Sequence, residues 1–385
     1  MRILKILLFI LPICLFSCRE DEYVTYMTDE DTGVSYVEES HFAGLYILNE
    51  GNMGANRCTL DYLELSGTDS TIHYYRNIYA ERNPSTVKEL GDVGNDIGIY
   101  GSKLWIVVNC SNKVEVCEAK TTRRIGQVNI DNCRYLAFDR GFVFVSSYAG
   151  PVQVTDNCPL GCVYKVDTLT LQKVDSVVVG YQPEEMAIAD GKLYVANSGG
   201  YRVPTYDNRI MVIDLTTFKV IKEIEVDLNL HRLLADKHGQ IWVSTRGNYF
   251  DVTPALYCLK DNKVVARLEI PISSMTIVGD SLFYIGTTFS YADGGYKKDY
   301  GIVDVQNRST ITTHLFDAPE IKNITLPYGI IVNPFDKDFY LLDAKNYVSS
   351  GELLHFDSFG HFLWRVSTGD IPSRGVFLES SNNKL

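Results

Sequence analysis

The sequence has few histidines and lacks the short motifs of common enzyme classes. Its seven histidines are scattered, and it contains no GxSxG nucleophile elbow, no HExxH zinc motif, no phosphate-binding glycine loop and no EF-hand spacing. The cysteines show neither paired CxxC motifs nor a Cys/His spacing that suits zinc. We therefore expect a protein that is not an enzyme and that has no cofactor or metal site, although Asp and Asn in several loops leave a weak calcium site open.

The N-terminal apolar run, residues 6–15, is too short for a transmembrane helix, which needs about twenty residues. It follows Arg2 and Lys5 and ends at Leu15-Phe16-Ser17-Cys18, which resembles the lipobox of bacterial lipoproteins. We therefore predict a lipoprotein signal peptide over residues 1–17, acylation of Cys18, and a lipid-anchored flexible tether over residues 18–42.

Acidic residues dominate the charge of the chain. The formal net charge is −12, and it becomes about −14 once Arg2 and Lys5 leave with the signal peptide. Such a surface repels a phosphate backbone, so we expect no nucleic-acid partner. The acidic residues 20–22 directly after Cys18 resemble the export signal of surface lipoproteins of Bacteroidetes. This likeness places the protein at the outer membrane, facing the cell exterior, whereas a plain solvated spacer is the alternative interpretation.

Seven cysteines follow Cys18, an odd number. Cys158 and Cys162 lie four residues apart in a loop and could form a disulfide, and Cys110 and Cys117 could pair across a hairpin. Single hydrophobic thiols buried in strands are the favoured interpretation.

A repeated phrase determines the predicted fold. A turn residue, an alternating aromatic and aliphatic strand and a polar stop recur at intervals of roughly forty to sixty residues. The repeats begin at Gly44, Gly101, Gly141, Gly191, Gly239, Gly279 and Asp338. A short apolar strand precedes each phrase and two alternating strands follow it, which gives four antiparallel strands per repeat. We predict an all-β fold, a seven-bladed β-propeller over residues 43–380.

The two ends of the chain predict how the ring closes. The first repeat, at Gly44, has no good inner strand ahead of it, whereas residues 373–378 form an inner strand with no hairpin after it. The C-terminal strand is therefore expected to close the first blade, which removes open sheet edges.

Aligning the repeats also predicts a binding face. The polar residues just before the inner strands should converge around the central channel, and they are Asn95, Arg134, Glu185, Arg232, Ser274, Tyr328 and Arg374. The long loops after the second strands open on the same face and supply aromatic and polar side chains, namely Tyr148, Asn197, Tyr201, Arg246, Tyr249, Tyr291 and Tyr347. Flat aromatic rings offer contact area at little entropic cost, and amides add directed hydrogen bonds. Purely structural roles for both sets are the alternative.

The opening phrase of the first repeat, Tyr46-Ile47-Leu48-Asn49-Glu50-Gly51-Asn52-Met53-Gly54, supports a family resemblance. With the lipobox and the seven repeats, the chain resembles the YncE-like propeller lipoproteins of gut Bacteroidetes, specifically the BtuG type. The resemblance implies a surface lipoprotein that captures cobalamin (vitamin B12) or related corrinoids and passes them to a TonB-dependent outer-membrane transporter. A large flat ring with many peripheral amides suits an aromatic and polar face.

Three other functions remain open at this stage. The same face could bind a glycan or another nutrient. Arginine and tyrosine at the channel could also support a polysaccharide lyase or hydrolase, because these residue types can neutralise a uronate and act as a base. The protein could instead be a structural module that only docks onto a transporter.

Overall fold

The computed structural model describes residues 29–35, 41–65, 71–86, 89–290 and 295–380. Within these residues the strands form seven antiparallel sheets, one for each blade, so the predicted seven-bladed β-propeller is confirmed. The predicted signal peptide, Cys18 and Tyr291 lie outside the described residues. We call the strands of a blade inner, second, third and outer, in order from the central channel.

Six blades follow the chain directly, each with four strands from inner to outer. Blades 2 to 4 consist of β5 (Gly94–Tyr100), β6 (Lys103–Val108), β7 (Lys113–Glu118) and β8 (Arg124–Asn129); β9 (Cys133–Asp139), β10 (Phe142–Ser147), β11 (Cys162–Asp167) and β12 (Lys173–Val178); and β13 (Pro183–Ala189), β14 (Lys192–Asn197), β15 (Arg209–Asp214) and β16 (Lys219–Glu225). Blades 5 to 7 consist of β17 (Leu230–Ala235), β18 (Ile241–Thr245), β19 (Leu256–Lys260) and β20 (Lys263–Leu268); β21 (Ser274–Val278), β22 (Ser281–Ser290), β23 (Gly295–Asp304) and β24 (Ser309–Thr312); and β25 (Pro327–Val332), β26 (Phe339–Asp343), β27 (Ser350–Phe356) and β28 (Phe362–Asp370).

Blade 1 joins the two ends of the described chain. Its strands from the channel outward are β29 (Pro372–Glu379), β2 (Phe42–Asn49), β3 (Thr59–Glu64), β4 (Thr71–Tyr75) and a fifth strand, β1 (Asp29–Ser35). The inner strand β29 pairs antiparallel with β2, so the predicted closure by the C-terminal strand is confirmed. β1 lies within the segment predicted to be a tether and pairs antiparallel with β4. In the part of the chain that the structure describes, one short helix, α1 (Ile78–Arg82), and a 3-10 turn (Pro319–Asn323) lie in connections.

Buried side chains fill the spaces between neighbouring blades. Because side chains alternate along a strand, each second strand contributes to two interfaces. In β6, Leu104 packs toward blade 1 while Trp105 packs toward blade 3. Leu342 and Leu45 belong to one cluster that joins blade 7 to blade 1. The hydrophobic core is therefore a closed ring of blade interfaces around the channel.

The cysteines that the structure describes are all free thiols, so neither of the two possible disulfides is present. Cys117 is completely buried, and burial raises the pKa of its thiol to about 12. Such a thiol stays protonated and unreactive, as expected for a small hydrophobic core residue. No helix in the described part of the chain is both long and apolar enough to span a membrane.

Candidate ligand-binding face

The inner strands all begin on one face of the ring, which we call the mouth face. Six of the seven inner strands show a register shift at or near this end of their pairing with the second strand. A bulge inserts an extra residue and redirects the side chains beside it. In five blades the residue just before the inner strand also has a positive φ, and these residues are Val93, Asn132, Gln182, Asn229 and Ile371. The repeated irregularity aims side chains into the channel mouth.

In blades 1 to 5 a repeated hydrogen bond holds the residue that follows the second strand against this entrance. The Arg246 N–H donates to Asn229 O at 3.0 Å. The same bond recurs from Glu50 to Ile371 at 2.8 Å, from Asn109 to Val93 at 2.7 Å, from Tyr148 to Asn132 at 3.2 Å and from Ser198 to Gln182 at 3.1 Å. The loops between second and third strands therefore start at fixed positions beside the channel.

Glu185 connects three blades across the channel. Its carboxylate accepts a hydrogen bond from Arg232 at 2.8 Å and another from Arg374, and it also accepts the Leu233 N–H at 2.9 Å. Burial alone raises the pKa of Glu185, but Arg374 and Arg232 together outweigh burial and hold the pKa below its ordinary value. This carboxylate is therefore ionised at neutral pH and ties blades 1, 4 and 5 together.

Glu184 forms a second charged group beside the first. Its carboxylate accepts hydrogen bonds from Arg134 at 3.1 Å and from the Tyr148 hydroxyl at 2.6 Å, and Arg246 lies 3.7 Å away. Burial alone raises the pKa of Glu184, but Arg134 and Arg246 together outweigh burial and hold the pKa below its ordinary value. The Tyr135 ring lies between the two groups, with the guanidinium carbons of Arg134 and Arg374 at 5.5 and 5.4 Å from its centroid.

Two further carboxyl groups at the mouth are harder to ionise. Glu50 accepts the Tyr328 hydroxyl at 3.2 Å, and burial raises the pKa of its carboxyl to about 7. Burial likewise raises the pKa of Asp96 to about 6.

His231 is buried, and desolvation together with the nearby arginines holds the pKa of its imidazole well below the ordinary value. This histidine is therefore neutral in the folded protein.

The structure brings most of the predicted ring residues together, but it gives some of them internal partners. The Asn95 amide donates to Arg134 O, and the Ser274 hydroxyl accepts the Ile330 N–H at 3.3 Å. Asn197 is completely buried, and its amide donates to Arg209 O at 2.9 Å. These bonds join strands and blades to each other. A ligand contact through these side chains stays a prediction.

The loops between second and third strands expose large apolar side chains on the mouth face. We call this set the crown, and it comprises Met53, Val152, Val154, Leu160, Tyr201, Val203, Tyr249, Phe250, Tyr347 and Val348. Tyr249 is 69% exposed and Phe250 is 93% exposed. The loops of blades 3, 4 and 5 touch: Thr155 N–H donates to Tyr201 O at 3.2 Å, and the Tyr206 and Tyr249 rings are 6.5 Å apart. Clustered exposed apolar surface of this kind marks a binding surface.

Three residues of this face, Glu184, Tyr135 and Glu50, were not predicted from the aligned repeats. Glu184 was missed because the alignment selects one residue per repeat, whereas the bulge places both Glu184 and Glu185 at the channel. Tyr135 was missed for the same reason. Glu50 follows the second strand of blade 1 as Arg246 follows that of blade 5, so aligning the residue after each second strand identifies it.

A separate surface pocket of about 280 Å³ lies at blade 6 and contains none of the mouth residues. It is lined by Lys298, Asp299, Tyr300, Thr313, His314, Leu315, Phe316, Ile321 and Lys322. The described residues include no cluster of three or more His, Cys, Asp or Glu side chains that could hold a metal ion. The mouth face is the surface on which polar and aromatic side chains from several blades converge.

These features define a seven-bladed β-propeller with a charged channel mouth and an aromatic crown. Residues 43–360 match the model of a domain of unknown function, DUF5074, and the chain belongs to that family. No curated protein matches the chain in sequence.

Several solved structures share the fold at low sequence identity. A hydrazine synthase from Kuenenia stuttgartiensis gives a TM-score of 0.59 at 15% identity, covering 75% of this chain and 96% of that one. A quinoprotein alcohol dehydrogenase-like protein from Bacteroides thetaiotaomicron gives 0.59 at 13% identity, covering 88% and 78%. A protein of unknown function from Desulfotomaculum acetoxidans gives 0.60 at 10% identity, covering 89% and 100%. At these identities the likeness establishes the fold alone.

Proposed function

We propose that this protein captures cobalamin or a related corrinoid on its mouth face and passes it to a TonB-dependent outer-membrane transporter. The crown around the charged mouth is the observation that carries the proposal. A corrinoid presents a broad apolar ring system with amide groups at its edge. Exposed rings such as Tyr249 and Phe250 suit the former, while the charged mouth residues can hydrogen-bond the latter.

The first experiment is calorimetry with cyanocobalamin and the chain from residue 19. We expect saturable binding, and replacing Phe250 by alanine should weaken it about tenfold, since an exposed aromatic anchor loses its contact area. Phe359→Ala is the matched control, because Phe359 is also largely exposed, at 80%, but lies between β27 and β28 on the opposite face. Absence of binding heat at micromolar protein would refute corrinoid capture.

Binding without catalysis is the function that the mouth chemistry favours. Tyr148 would be the obvious base, but its hydroxyl donates to Glu184, and burial raises the pKa of this hydroxyl far above its ordinary value. A phenol in that state does not accept a substrate proton at neutral pH. Incubating the protein with acidic polysaccharides should therefore release no product, and turnover that is lost in Tyr148→Phe would contradict the proposal.

Glycan capture is a second candidate, supported by the same exposed tyrosines. The Tyr201 and Tyr249 rings are 41% and 69% exposed, and flat rings of this kind can stack on sugars. A glycan array decides between the two ligands. Binding to a glycan with none to cyanocobalamin would replace the first proposal by this one.

We also propose that Cys18 is acylated and that the protein lies on the outer face of the outer membrane. The lipobox-like residues 15–18 and the acidic residues 20–22 support this placement. Labelled palmitate should enter the wild-type protein and not Cys18→Ser, and external protease should digest it on intact cells. A transporter partner predicts that detergent extraction of the wild-type protein co-purifies a TonB-dependent barrel.

A further inference from the structure

We propose that Arg246 and Arg134 form a subsite for an anionic group of the bound ligand, a phosphate diester or a carboxylate. The inference rests on the proposed function for the identity of the ligand, but its charge argument depends only on the residues of the mouth.

The charges around Arg246 and Arg134 do not balance. Glu184 is the single carboxylate that contacts either Arg246 or Arg134 in the described chain, so two guanidinium groups share one negative charge. Glu185 does not correct the imbalance, because its carboxylate binds Arg232 and Arg374. The chain as a whole carries a net charge of −12, so this local positive excess runs against the composition.

Arg134 and Arg246 both have N–H groups that donate no hydrogen bond to the described chain. A guanidinium has five N–H donors. Among the described residues, Arg134 Nε is buried with no hydrogen-bond partner. The side chain of Arg246 makes no hydrogen bond within the described chain, and its nearest carboxylate oxygen, on Glu184, is 3.7 Å away. Buried donors without a partner are rare in native proteins, so Arg134 Nε points to a group that the polypeptide does not supply.

The Arg246 guanidinium is accessible to a ligand. The Arg246 side chain is 31% exposed at the start of the blade 5 loop, which also carries Tyr249 and Phe250. An anion can therefore reach the guanidinium while the organic remainder of the ligand contacts the crown. Arginine favours oxyanions because its planar fork donates two parallel hydrogen bonds to phosphate or carboxylate.

Comparing two corrinoids distinguishes a contact of Arg246 with the anionic group from an effect on corrinoid binding as a whole. Cyanocobalamin contains a phosphate diester in its nucleotide loop, whereas dicyanocobinamide lacks the diester. Arg246→Gln should weaken cyanocobalamin binding about tenfold or more, which is the effect of losing a charge-assisted hydrogen bond, and should change dicyanocobinamide binding less than about twofold. Arg246→Lys keeps the charge and should fall between wild type and Arg246→Gln.

Arg57→Gln is the matched control, because Arg57 lies in the blade 1 loop of the same face, is 59% exposed and is 3.5 Å from Asp370. It should leave both affinities unchanged. Arg246→Gln should fold normally, since Glu184 keeps its direct hydrogen bonds from Arg134 and Tyr148, and its thermal midpoint checks this. Equal weakening of both corrinoids by Arg246→Gln, or weakening of neither, would overturn the subsite.

A corrinoid-free measurement separates the subsite from the proposed function. Sodium phosphate should raise the thermal midpoint of wild type and Arg57→Gln above that in sodium chloride of equal ionic strength, and the increase should be absent in Arg246→Gln. If neither corrinoid binds the wild-type protein but this pattern appears, corrinoid capture fails while the anion subsite stands. The same phosphate response in all three proteins would reject the subsite.

Discussion

Replacing Glu185 by glutamine should destabilise the ring strongly, because this one carboxylate forms ion pairs with two arginines from different blades. The side chains of Glu185, Arg232 and Arg374 are only 9%, 12% and 22% exposed. Removing one partner of a buried ion pair leaves an uncompensated charge and costs about 3–5 kcal/mol. Arg374 retains some contact with water, so we expect the free energy of unfolding to fall by about 3 kcal/mol, the lower end of that range.

Urea titration followed by tryptophan fluorescence measures this loss at neutral pH. Glu223→Gln is the control, because Glu223 is 54% exposed and its 3.0 Å pair with Arg209 lies on the surface of blade 4, where such pairs contribute less than about 1 kcal/mol. The folded-state pKa of Glu185 is lowered, so its stabilising effect is present above the ordinary carboxyl pKa and is lost as pH falls through the lowered value. A Glu185→Gln protein within about 1 kcal/mol of wild type at neutral pH would refute this account of the channel.

Two further predictions test the mouth. The pKa of Glu50 is raised from 4.5 to about 7, so the folded state binds its proton more tightly than the unfolded state does. The free energy of unfolding of the wild-type protein should therefore fall by up to about 3 kcal/mol between about pH 5 and pH 8, and that of Glu50→Gln should not show this fall. Urea midpoints that change in parallel with pH in both proteins would contradict this. Gly247 has φ +61°, and an added Cβ would lie 1.9 Å from Val252 O, so Gly247→Ala should lower the thermal midpoint and weaken cyanocobalamin binding through the displaced Tyr249 loop. Gly101→Ala, at φ +60° in open space, should lower the midpoint less and leave binding intact, and equal effects of the two changes would argue against the steric cause.

The fold was predictable because its signals are local and repeated. The phrase at Gly44 without an inner strand and the unpaired strand at 373–378 were enough to predict closure by β29, since an unpartnered strand edge must be covered. The period of two along a strand such as β6 likewise predicts that Leu104 and Trp105 face different blades. Neither inference needed the position of any distant side chain.

The mouth was only partly predictable, because bulges and internal pairing do not show in repeat spacing. Glu184 and Glu185 are consecutive, and a regular strand would send one of them away from the channel. The register shift between Pro183 and Met186 brings both to the mouth. The sequence likewise does not show that the Tyr148 hydroxyl bonds Glu184 while Tyr249 stays exposed, because the hydrogen-bond partner of a loop tyrosine depends on the geometry of the neighbouring blades.

The fifth strand of blade 1, β1, determines where the segment that precedes it joins the propeller. Asp29 pairs with Tyr75, at the end of β4 nearer the mouth face, and β1 runs from there toward the opposite face. Ten residues lie between Cys18 and Asp29, and even a fully extended chain spans at most about 40 Å from one to the other. If Cys18 is acylated as proposed, the anchor would attach to blade 1 on its mouth side, and the bilayer would lie within about 40 Å of that end of β1.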